Sequence, residues 1–141
     1  MTDKDRDELV RDYGTVLRES AVLIAFSGVL FGFLFNVAVN IPTNFSEINQ
    51  ISLLTALFSI TIAISLFIMP VIYHHIQYPY TDVEKFKRRS HRFIVFGMGP
   101  AIITLYLGLE IALSVVLGDL AFFIAAAPFV AVYALFKARK W

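Results

Sequence analysis

ISLLTALFSITIAISLFIMPVIY, residues 51–73, contains no charged side chain. A soluble core seldom buries so long an uninterrupted apolar run, whereas a bilayer core about 30 Å thick needs about 20 such residues at a helical rise of ~1.5 Å each. Lipid offers the backbone no hydrogen-bond partner, so the run must be a helix. Three more runs flank it: about 20–39, about 93–117 and about 120–136. Only the third of the four contains a charge, Glu110. The fourth is short, but Lys137 can reach the headgroups. Asn40, Pro42 and Asn44 mark the turn between the first two runs.

These runs predict an all-α polytopic membrane protein with four transmembrane helices in a bundle. Residues 20–137 form the transmembrane domain and 138–141 a cytosolic tail. The composition agrees: 58% of the residues are hydrophobic and the mean hydropathy is +0.72, against roughly 45–50% apolar residues in a soluble domain. The first 19 residues are charged, so no cleavable leader is expected. There Leu9, Val10, Tyr13, Val16 and Leu17 recur near one helical face, which predicts a short amphipathic helix on the inner membrane surface leading into the first span.

Orientation follows from the 12 Lys and Arg residues. Lys4, Arg6, Arg11 and Arg18 precede the first span. Lys85, Lys87, Arg88, Arg89 and Arg92 lie between the second and third, and Lys137, Arg139 and Lys140 follow the fourth. The other two loops hold none. The positive-inside rule then puts both termini in the cytosol. The middle basic cluster is first a topology signal and can also bind anionic lipid headgroups, with Tyr78, Tyr80 and Phe86 anchoring it. Nucleic acid is not an expected partner of so short and membrane-tethered a loop.

Several short motifs carry a family resemblance: Val22-Leu23-Ile24-Ala25-Phe26, Asn44-Phe45, Met69-Pro70 followed by Tyr73-His74-His75, and a charged loop closing on His91-Arg92. Over roughly residues 9 to 117 the chain resembles an uncharacterised family of small prokaryotic four-helix integral membrane proteins, carrying a domain-of-unknown-function label. The resemblance implies a prokaryotic plasma membrane, and automatic naming within the family sometimes implies sodium–proton antiport. Members often have a Gly and a Gln where the first helix begins; this chain has Glu19-Ser20-Ala21.

Glu110 is the leading candidate for chemistry. A carboxylate inside a span costs several kcal/mol, and such residues are functional or paired. Tyr106 and Ser114 lie one turn to either side on the same face. Thr55, Ser59 and Asn36 fall at similar depths on the neighbouring helices, so a carboxylate, hydroxyls and an amide assemble a candidate ion or proton site. The structural alternative is a protonated Glu110 bonded to a neighbouring helix. His74, His75 and His91 cluster at the inner face as candidate pH sensors, although adjacent histidines diverge on a helix and no zinc spacing is present. Gly28 and Gly32 form a GxxxG packing face, within the bundle or between copies. Gly97, Gly99 and Pro100 form a candidate hinge.

The chain has no Cys, no P-loop, no dinucleotide fingerprint and no HExxH. No enzyme activity, metal or cofactor is therefore expected. The sequence favours transport or conduction of a small cation or proton by a homo-oligomer. The alternative is an accessory membrane protein that docks partners or lipids through its basic loop.

Overall fold

The computed structural model describes residues 3–43, 45–77 and 83–139, with side chains from Gly14 onward except at Gln77 and Val83. The side chains of Leu9, Val10 and Tyr13, and all of Tyr78 and Tyr80, lie outside the described residues. The described chain is helical: α1 (Asp3–Val39), α2 (Glu47–Gln77), α3 (Val83–Leu117), a 3-10 turn (Gly118–Leu120) and α4 (Ala121–Ala138).

Each helix overruns the apolar run that predicted it. α1 is a single helix of 37 residues, roughly 55 Å long. The segment read as a separate amphipathic element is its N-terminal half, continuous through Gly14. The end of α1 is closed by Asn40, whose Nδ2 donates to Asn36 O and Asn36 Oδ1, both at 3.1 Å. Pro42 follows and cannot extend the ladder. α2 begins four residues before Ile51 because Ser46 caps it: the Asn49 N–H donates to Ser46 Oγ at 3.2 Å. Glu47 in the first turn suits the positive end of the helix.

Helix directions follow from cross-helix pairs. Asn49 meets Ser114, Thr104 meets Ala56, and Tyr73 meets Arg89, so α2 and α3 are antiparallel. A Cβ at Gly108 would lie 4.0 Å from Leu34, and Arg18 and Glu19 share a groove with His91, so α1 and α3 are parallel.

Three helical stretches are long and apolar enough to cross a membrane, Gly14–Val39, Glu47–Ile76 and Glu84–Ala138, rather than four. The third contains both of the last two expected spans, separated only by the 3-10 turn. That turn reverses the chain. Tyr106 Oη reaches Phe122 O at 3.1 Å and its ring lies 6.0 Å from that of Phe129. Uninterrupted helix would put residue 129 more than about 30 Å away. Gly118, at φ 56°, supplies the left-handed residue the reversal needs. Among the described residues α4 packs only against α3 and the turn.

The α2 residues Leu53, Ala56, Ile60, Ala63, Phe67 and Pro70 are buried, at spacings alternating three and four. α3 continues the rhythm with Phe86, Ser90, Ile94, Gly97, Thr104, Gly108 and Ile111, and α1 with Val16, Ser20, Ser27 and Leu34. A repeat averaging about 3.5 residues is the signature of a left-handed coiled bundle. Small residues share this seam with large ones: Ala56 and Ala63 are fully buried beside Ile60 and Phe67, while many other large side chains face outward, Phe58 at 72% exposed and Val116 at 81%. Small residues in the seam suit a lipid surround, where close approach of backbones holds helices together. The buried hydroxyls Ser20 Oγ, Ser27 Oγ and Ser90 Oγ have no partner among the described residues.

The glycines differ in their surroundings. At Gly97 a Cβ would lie 2.6 Å from Phe67 Cε1, so it is the notch in which that ring sits. α3 runs unbroken through Gly99 and Pro100. Gly28 and Gly32 have open space where a Cβ would stand, so the GxxxG face does not pack within the chain.

Candidate functional site

The antiparallel register of α2 and α3 fixes what stands near Glu110. It lies two turns before the end of α3, level with the first turns of α2. Its side chain is 4% exposed, and Oε2 has no hydrogen-bond partner among the described residues. A buried carboxylate oxygen without a donor is costly, whether ionised or neutral.

Glu110 lines a cleft of about 480 Å³ at this end of the bundle, shared with Ser46, Asn49, Ser114 and Asp119 and floored by Phe122 and Phe123. One pair is already bonded: Asn49 Nδ2 donates to Ser114 Oγ at 3.2 Å, and Ser114 Oγ donates to Ile111 O at 2.8 Å. Asn49, Ser46, the exposed Asp119 and Glu110 thus line one space with amide, hydroxyl and carboxylate groups. Hard cations take such a donor set, and a proton takes one carboxylate. Among the described residues, no group of three or more His, Cys, Asp or Glu could hold a metal ion. A cation here would rely on the amide and hydroxyl oxygens.

Of the six residues expected at this site, the cleft gathers Glu110 and Ser114. Tyr106 does not line the cleft itself: its hydroxyl donates to Phe122 O, and its ring meets Phe122 edge-on at 5.7 Å, so it ties α4 to α3. Thr55 is exposed on the outer face of α2, and Ser59 is about two turns farther from the cleft. Asn36 is exposed and bonded to Asn40. Starting α2 at Ile51 shifts its register and aligns the wrong hydroxyls. The residues missed, Ser46, Asn49 and Asp119, belong to the cap and the turn. The capping pair Ser46 and Asn49, three apart, was the legible signal.

The opposite end carries the described basic residues. The rings of His74 and His75 lie 5.1 Å apart and tilted in the last turn of α2. His91 is exposed and lines the α1–α3 groove with Arg18 and Glu19. Two of the three thus lie at the end of α2 and one near the start of α3, at the same end of the bundle. Lys85, Lys87, Arg88, Arg89 and Arg92 are exposed on the first turns of α3. Arg89 Nη1 donates to Tyr73 Oη at 3.0 Å, and the Tyr73 ring stacks on Phe86 at 5.5 Å.

The architecture defines a class: an all-helical protein with three apolar helical stretches fit for membrane insertion and many large apolar side chains on its outer surface. The chain belongs to a family of unknown function (DUF6328), whose sequence model matches residues 2–139. No match to it was found among curated proteins or among solved structures.

Proposed function

We propose that this protein binds a small cation or a proton at Glu110 and passes it across a prokaryotic plasma membrane as a homo-oligomer. In this reading α3 and α4 are separate crossings, giving four spans. The positive-inside rule places the termini and the 78–82 connection in the cytosol. The cleft then opens to the outside. The observation that carries the reading is Glu110 Oε2, buried and unpartnered at a cleft lined by amide, hydroxyl and carboxylate oxygens. An ionisable group at such depth is expensive, and membrane proteins keep one for ion or proton paths. A homo-oligomer belongs to the reading because Phe67 seated on Gly97 fills the middle of one chain. The open Gly28–Gly32 face offers a place for copies to meet.

The test is ion flux in proteoliposomes under imposed Na⁺, K⁺ and H⁺ gradients, for wild type and Glu110→Gln. Gln keeps shape and hydrogen bonding but cannot ionise. Flux above empty liposomes that falls at least about tenfold in the variant is expected, the cost of roughly 1.4 kcal/mol in the barrier. Absence of flux from folded protein under every gradient overturns the transport reading. It would favour a second one, an accessory membrane protein, for which the exposed Lys85, Lys87 and Arg88 offer a docking surface.

A further inference from the structure

At the basic end, a lateral groove of about 410 Å³ lies between α2 and α3. Its walls are two facing helical stripes: Met69, Ile72 and Tyr73 from α2, and Arg89, Arg92, Phe93 and Phe96 from α3. Spacings of three and four put each set on one face of its helix. The polarity of the groove is graded. Arg89 and Arg92 stand toward the N-terminus of α3, and helix side chains lean toward that end. Met69, Phe93 and Phe96 continue toward the middle of the bundle as an apolar trough.

Among the described residues no carboxylate pairs with either arginine. Arg89 is nonetheless held: its guanidinium donates to Tyr73 Oη at 3.0 Å and lies 5.8 Å from the Tyr73 ring centre. That holds the guanidinium in place, and among the described residues its other N–H donors have no further partner. Guanidinium groups match the oxygens of a phosphate in pairs.

We infer that this groove binds one anionic phospholipid, with the phosphate held between Arg89 and Arg92 and an acyl chain laid along Met69, Ile72, Phe93 and Phe96. Charge complementarity selects the headgroup. The trough selects a lipid over a free phosphate, which would leave those apolar walls unfilled. The site lies at the opposite end of the bundle from Glu110 and stands whether or not that residue carries an ion.

Native mass spectrometry of the detergent-solubilised full chain, titrated with phosphatidylglycerol or phosphatidylcholine, tests this. Wild type is expected to retain phosphatidylglycerol in preference. Arg89→Gln/Arg92→Gln should weaken retention at least about tenfold, the loss of one charge-assisted hydrogen bond. Lys87→Gln/Arg88→Gln removes the same charge outside the groove and should stay within about twofold of wild type. Ile72→Trp fills the trough from an exposed position, so it leaves the core alone and should also weaken retention. Equal losses in the two charge variants, or no lipid preference in wild type, overturn the inference. Displacement by inorganic phosphate together with an unaffected Ile72→Trp would identify a free-phosphate site and overturn it as well.

Discussion

Gly97→Ala tests the packing of α2 on α3 directly. The added methyl would lie 2.6, 2.9 and 3.2 Å from three carbons of the Phe67 ring, where carbon pairs settle at about 3.5–4.0 Å. Either the ring retreats by about 1 Å or the helices part. Phe67 is fully buried, so its ring has little room to move. Overpacking of this kind costs about 1–3 kcal/mol. Gly99 is the internal control. It lies two residues along the same helix with nothing within 4 Å of an added Cβ, so Gly99→Ala should be neutral or stabilise by up to about 1 kcal/mol through helix propensity. The assay is loss of helical circular dichroism in mixed micelles titrated with SDS. Phe67→Leu in the Gly97→Ala background should recover part of the loss, giving a coupling energy of the kind contacting residues show. Equal effects at positions 97 and 99, or no coupling with Phe67, would refute the notch.

The remaining expectations concern the cleft and the turn. Asn49→Ala removes the donor to Ser114 and one wall of the cleft; it should cost about 1 kcal/mol of stability and lower flux in the proteoliposome assay without abolishing it. Gly118→Ala forces a side chain into the left-handed region at φ 56°, at about 1–2 kcal/mol. Gly118→Asn should cost less, because Asn tolerates that region, and thermal unfolding in detergent reads the difference.

The class of fold was legible because four long runs lack charge or nearly so, and no soluble design explains them. The ends of the helices were less legible. Apolarity marks where lipid begins, not where hydrogen bonding stops, so α2 was assigned from Ile51 although Ser46 caps it. The seam left no hydropathic trace, since helices apolar on every side offer no contrast between inside and outside. Residue size carries only part of that information: Ala56, Ala63, Gly97 and Gly108 lie inward and Phe58, Phe96 and Phe123 outward, yet Phe67 and Phe86 are buried and Gly28 and Gly32 exposed. Glu110 stood out because a lone charge in a span is conspicuous. Its partners did not, because Ser46 and Asn49 lie before Ile51, outside the apolar run.

A helix with a single neighbour has different thermodynamics from one with two. α1, α2 and α3 bury a common seam, so opening any one of them exposes parts of the others, and they form one cooperative unit. α4 buries only Ala121 and Ala125 and leans on α3 alone, so its detachment costs the rest of the bundle little. Local opening free energies in proteins run from near zero up to the global value, and α4 belongs at the low end. The described chain is therefore a three-helix body with a fourth helix attached along one side, and α4 is the helix whose packing contacts are lost with least effect on the others.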